Sequence, residues 1–208
     1  MSTPIENVMR SGPVIPVLSI ADPDSARAIA EALLEGGLNT VEVTLRTSSA
    51  LDVIAEMARI QGLTVGAGTV LNERQLDESI QAGAKFIVSP GLSERLGVAA
   101  IARGVPFLPG VATASDIMRG LALGLDRFKF FPAEAAGGIR ALKALSAPLS
   151  QCRFCPTGGI TEANAADWLA VESVLCVGGS WLFTDPIDVG ELRARAKRAA
   201  SLGPGIKR

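Results

Sequence analysis

The stretch Thr40-Val41-Glu42-Val43-Thr44-Leu45 leads into an amphipathic run from Ala50 to Gln61, then Gly62-Leu63, then Thr64-Val65-Gly66-Ala67. Apolar and polar residues alternate with a period of two in the first segment, the signature of a strand. The second segment carries the longer helical period. A glycine just past it supplies a C-terminal cap that turns the chain into the next strand. Working outward from this unit, the same order recurs along the whole chain. The strands expected are Val14–Ser19, Thr40–Leu45, Thr64–Ala67, Phe86–Ser89, Pro106–Leu108, Arg127–Phe131, Cys152–Cys155 and Ser173–Val177. The helices between them are Asp24–Leu34, Ala50–Gln61, Glu73–Gln81, Ser93–Arg103, Ser115–Leu123, Gly138–Leu145 and Thr161–Leu169, with a last one from Val189 to about Ala200. Asp22-Pro23, Asn72 before Glu73 and Thr161 before Glu162 act as start signals.

Eight strand–helix units in 208 residues predict an α/β chain folded as a (β/α)8 barrel, one domain over 1–208 with short loops. An open doubly wound sheet fits less well, because no glycine-rich dinucleotide fingerprint follows the first strand. Hydrophobic residues make up 48% and charged residues 20%, which supports a sizeable core. A net charge of -1 argues against a nucleic-acid partner, and no apolar run is long enough to span a membrane. Cys152, Cys155 and Cys176 are an odd set with no disulfide framework, and no secretory leader is evident, so a reducing cytoplasm is expected. Histidine and tyrosine are both absent. Proton transfers in any enzyme built here rest on carboxylates, lysine or water.

Barrel sites gather at the C-terminal ends of the strands. There the chain places Gly66-Ala67-Gly68-Thr69, Ser89-Pro90-Gly91, Pro109-Gly110-Val111-Ala112-Thr113, Phe131-Pro132-Ala133-Glu134, Pro156-Thr157-Gly158-Gly159 and Gly178-Gly179-Ser180. Alternation turns Glu42, Thr44 and Arg46 inward on the second strand, and Lys129 and Phe131 inward on the sixth. Charged groups inside a barrel are costly unless they satisfy one another. A desolvated amine sheds its charge readily and can then attack a carbonyl carbon to form a Schiff base. That makes Lys129 a candidate nucleophile and Glu42 a candidate acid–base group, with Glu134 at the rim as its rival. A buried salt bridge, or a lysine snorkelling to solvent at the strand end, is the competing structural reading, which the company of Glu42 and Arg46 makes slightly the weaker, and a phosphate-binding lysine is a third. Arg46 has the planar fork for a carboxylate, assisted by the Thr69 hydroxyl, or else bridges Glu42 at the rim. Gly158-Gly159 and Gly178-Gly179-Ser180 occupy the two positions where barrels bind phosphate through backbone N–H groups, although any such pair can be a plain turn. The three cysteines, Trp168 and Trp181 read as packing groups.

These segments resemble the 2-keto-3-deoxy-6-phosphogluconate (KDPG) and 4-hydroxy-2-oxoglutarate (KHG) aldolase family. The similar stretches are Val41–Thr47, Val65–Thr69, Ile87–Gly91, Phe128–Glu134, Phe154–Ile160 and Val177–Trp181. The resemblance covers nearly the whole chain. It implies a class I aldolase of the Entner-Doudoroff pathway that needs no metal or cofactor, with Lys129 forming the Schiff base and Glu42 as acid–base. It also implies that Arg46, Thr69, Pro90 and Phe131 shape the pyruvate end, and that Thr157, Gly158, Gly159 and Ser180 surround the distal phosphate. The partners implied are a phosphorylated 2-keto acid, pyruvate and glyceraldehyde 3-phosphate, in a homotrimer. Two other functions stay open on the residues alone: a phosphosugar isomerase or epimerase, and a non-catalytic phosphometabolite-binding protein.

Overall fold

Parallel strands joined by helices realise the repeating unit. The computed structural model describes residues 3–184 and 187–202, so the expected domain extends past them at both ends. In chain order the elements are α1 (Pro4–Met9), β1 (Val14–Leu18), a 3-10 turn (Pro23–Ser25), α2 (Ala26–Glu35), β2 (Thr40–Thr44), α3 (Ala50–Ala58), β3 (Thr64–Gly68), α4 (Glu73–Gln81), β4 (Phe86–Val88), α5 (Glu94–Ala102), β5 (Phe107–Leu108), β6 (Gly110–Val111), α6 (Ala114–Ala122), β7 (Arg127–Phe130), α7 (Gly138–Ser146), β8 (Arg153–Pro156), α8 (Ala165–Leu169), β9 (Val177–Gly179) and α9 (Val189–Ser201).

The strands curl into a barrel wall closed in two arcs. One arc has the order β5-β4-β3-β2-β1-β9, and the other is β6-β7-β8. β5 and β6 are one barrel position broken at Pro109, which has no N–H to give to a ladder. The Pro109 carbonyl still accepts from the Lys129 N–H at 2.9 Å, tying the two arcs together. At the other seam the pairing thins to single bridges, Phe154 with Val174 and Thr157 with Gly178. The expected last strand, Ser173–Val177, is therefore displaced: its regular part is β9, and Val174 contributes only a bridge. The helix expected over Thr161–Leu169 is also shorter. Thr161 and Asn164 bond each other in a turn, with the Thr161 N–H donating to Asn164 Oδ1 at 2.8 Å, and α8 starts after it.

Alternation sorts side chains into two apolar layers. Val41, Val43, Phe128, Phe130 and Phe154 face outward beneath the helices, where Phe130 packs against Trp168 with ring centroids 6.2 Å apart. Ile15, Phe86, Val88, Leu108, Cys155 and Cys176 fill the barrel interior. Gly66 has no side chain because the Phe86 ring occupies that space. The bottom of the barrel is plugged by α1, a helix the sequence reading did not anticipate. Its Ile5 and Met9 enter the interior cluster. Glu6 pairs with Arg10 at 2.6 Å and with Arg127, at the lower end of β7, at 2.7 Å. The missed signal is Thr3-Pro4-Ile5-Glu6, a capping residue followed by proline at the first helical position. With this end blocked, the open end is the one where the strands finish.

Candidate active site

Lys129 lies on β7 between the outward-facing Phe128 and Phe130, so the period of the strand turns it inward. It is 6% exposed, and Glu42 on β2 is 3% exposed. The Lys129 Nζ donates to Glu42 Oε1 at 3.0 Å and to Oε2 at 3.3 Å. Two residues 87 positions apart in the chain thus meet inside the barrel mouth. The carboxylate has room there because Gly68 stands next to it: a Cβ at Gly68 would overlap the Glu42 side chain. The Phe131 ring, half-buried just past β7, has its centroid 5.4 Å from Nζ, within range of a cation–π contact. Burying an ion pair brings little net stability relative to apolar side chains of the same size. Stability therefore gives no reason for this pair to be here.

The other expected site residues ring this pair. Thr69 follows β3 half-buried, with φ 61, a left-handed backbone that a threonine adopts at an energetic cost. Pro90 follows β4, and its carbonyl lies so close to Gly110 that any side chain on Gly110 would collide with it. Arg46 is corrected. β2 ends at Thr44, and Arg46 stands in the exposed turn beyond it, at the rim rather than inside the barrel. Of the three charged groups expected inside, Glu42 and Lys129 are buried there and Arg46 is not. Glu134, the rival base, is turned to the outside. Its Oε1 accepts from Trp168 Nε1 at 2.9 Å and from Asn164 Nδ2 at 3.3 Å, and it pairs with neither Lys129 nor the barrel interior.

At the seam between β8 and β9 the distal residues come together. Thr157 is buried, and its Oγ1 donates to the Cys155 carbonyl at 3.4 Å. Gly158 and Gly159 have φ 98 and φ 79, which a side chain resists, so they form a true glycine turn. The N–H groups of Ala133 and Glu134 donate to the carbonyls of Thr157 and Gly158 at 2.8 and 3.1 Å, binding the loop after β7 to this turn. Gly178 and Gly179 differ from the expected turn. They are the end of a strand, paired with Ile15 and Pro16 of β1. They are glycines for lack of space: Thr157 fills the place of a Cβ at Gly178, and the Trp181 ring fills it at Gly179. Ser180 follows, exposed at the rim. The cysteines are buried as expected. A hydrogen bond with Cys155 and burial push the Cys176 thiol well up, and burial raises Cys152. Both are packing groups rather than nucleophiles. Among the described residues no group of three or more histidine, cysteine or carboxylate side chains is placed to hold a metal.

Residues 5–195 match the family described as "Aldolase: KDPG and KHG aldolase". A 2-dehydro-3-deoxy-phosphogluconate aldolase from Zymomonas mobilis is 54% identical over 198 residues, 95% of each chain. The crystal structure of the Zymomonas mobilis 2-keto-3-deoxy-6-phosphogluconate aldolase with 3-phosphoglycerate superimposes with a TM-score of 0.94, covering 95% of both chains. The Legionella pneumophila KDPG aldolase, with pyruvate captured as a covalent carbinolamine, is 40% identical with a TM-score of 0.87 over 96% of each chain. A barrel plugged at one end and carrying a buried lysine–glutamate pair at the other has the same fold as these proteins, and this chain belongs to the KDPG and KHG aldolase family.

Proposed function

We propose that this chain is a class I aldolase that cleaves 2-dehydro-3-deoxy-6-phosphogluconate to pyruvate and D-glyceraldehyde 3-phosphate, with 4-hydroxy-2-oxoglutarate as a second substrate. The observation that carries the reading is the buried Lys129–Glu42 contact at 3.0 Å, facing the open end of the barrel. A proton can cross within that hydrogen bond, leaving a neutral amine to attack C2 of the keto acid. Glu42 returns its proton to the carbinolamine hydroxyl, which leaves as water and gives a protonated imine that accepts the electrons of the breaking bond. Glu42, directly or through a water molecule, removes the proton of the C4 hydroxyl. The C3–C4 bond opens, the aldehyde leaves, and the enamine takes a proton at C3. Hydrolysis then frees pyruvate and the Lys129 amine. No cofactor enters this sequence.

Phe131, Thr69 and Pro90 surround the pyruvate end, and Arg46 at the rim offers its guanidinium to the carboxylate. Thr157, Gly158, Gly159 and Ser180 take the phosphate, whose remote binding aligns the C3–C4 bond with the imine. The working unit is a homotrimer of single-domain chains in the cytoplasm. None of the described helices is long and apolar enough to cross a membrane. Borohydride added with pyruvate should fix a covalent adduct on the peptide holding Lys129, and Lys129→Ala should lose activity by at least about a thousandfold. A full-activity Lys129→Ala variant, or sugar-phosphate isomerisation with no adduct, would refute the proposal.

A further inference from the structure

A second polar contact lies in the barrel mouth one strand away from Glu42. The Ser19 and Thr44 hydroxyls are 2.7 Å apart, and Thr44 Oγ1 is 3.2 Å from the Leu18 carbonyl. Thr44 is buried at 1% exposure, whereas Ser19, just past β1, is exposed. A carbonyl only accepts, and Thr44 has one proton. Both bonds are made together only if Thr44 donates to Leu18 and Ser19 donates to Thr44. Ser19 Oγ is then tethered with its proton committed to Thr44 and its lone pairs used in neither bond, so it can accept from a ligand hydroxyl.

Topology says which hydroxyl. β1 lies between β2, which carries Glu42, and β9, which ends one residue before Ser180. Val17 pairs with Glu42 and Pro16 with Gly179. On the wall, Ser19 therefore stands between the acid–base group and the phosphate turn. In the substrate, what lies between the reacting carbon and the phosphate-bearing carbon is one carbon with a hydroxyl. We propose that Ser19, held by Thr44, is a specificity-determining residue that accepts a hydrogen bond from the 2-hydroxyl of the phosphorylated aldehyde. This rests on the aldolase reading above.

The test is the condensation of pyruvate with two aldehydes, glyceraldehyde 3-phosphate and 3-oxopropyl phosphate, which lacks the 2-hydroxyl. In Ser19→Ala the ratio of kcat/KM for the first to the second should fall by about tenfold. Thr44→Val, which keeps the shape and removes the anchor, should move the ratio the same way by less, and Ser19→Thr should restore it. A purely structural role would lower both aldehydes alike and leave the ratio unmoved. An unchanged ratio in Ser19→Ala, with pyruvate still trapped on Lys129 by borohydride, overturns the Ser19 assignment alone. Failure to trap pyruvate in the unaltered enzyme overturns the aldolase reading, and this inference with it.

Discussion

At the scale of single residues, the chain spends burial on Lys129 and Glu42 where apolar side chains would serve the fold as well. Replacing both partners of such a pair by apolar groups is neutral or stabilising by about 1–4 kcal/mol. The double variant Lys129→Met with Glu42→Met should therefore unfold at an equal or higher denaturant concentration and show no aldol cleavage. A large drop in stability would mean that the pair serves the fold. Gly68 is the less obvious residue here. Gly68→Ala puts a methyl group where the Glu42 carboxylate rests, so turnover should fall by about a hundredfold through misplacement of the proposed base. Pyruvate trapping by borohydride should survive, since Lys129 is untouched. Glu42 and Lys129 were legible in the sequence because strand alternation alone turns them inward. The placement of Arg46 inside was not borne out, because alternation holds only while the strand lasts and β2 stops at Thr44.

At the scale of elements, α1 shows how a short helix can matter through one residue. Hydrogen bonds from Arg10 and then from Arg127 hold the Glu6 carboxyl below its ordinary value of 4.5. The unfolded chain then binds the proton more readily than the folded one, so this contribution is present in full above that ordinary value. It is lost as pH falls through the lower folded value. Thermal unfolding of the native protein and Glu6→Gln should differ at neutral pH and converge in acid. A gap that persists unchanged below pH 4 would contradict the role given to the plug. α4, Glu73–Gln81, has the bounds read from sequence, because Asn72 caps it locally: its side chain accepts from the Gln75 N–H. α8 does not, because Thr161 and Asn164 bond each other first.

At the scale of the whole molecule, the residues of the proposed distal site meet only because the barrel closes. Thr157 comes from just past β8 and Ser180 from just past β9, and the bridge between Thr157 and Gly178 links the two at this end of the seam. A negative charge placed at this seam should repel the phosphate. Ser180→Asp should lower kcat/KM for the phosphorylated keto acid by at least about tenfold and affect 4-hydroxy-2-oxoglutarate far less. Equal losses on the two substrates would remove the phosphate from this end. The proposed trimer is checked by sedimentation, which should give a particle of three 21.5 kDa chains; a monomer at working concentration would reject it.

The sequence alone determined the repeat, its eight positions and the inward direction of Lys129 and Glu42, since each follows from short-range periodicity and local capping. Tertiary structure decided the rest. It showed that Gly178 and Gly179 are strand residues cleared for Thr157 and Trp181, that Glu134 belongs to Trp168 and Asn164, and that Thr3–Met9 plugs the barrel. Those outcomes depend on which side chains meet across distant strands, and no local period carries that information.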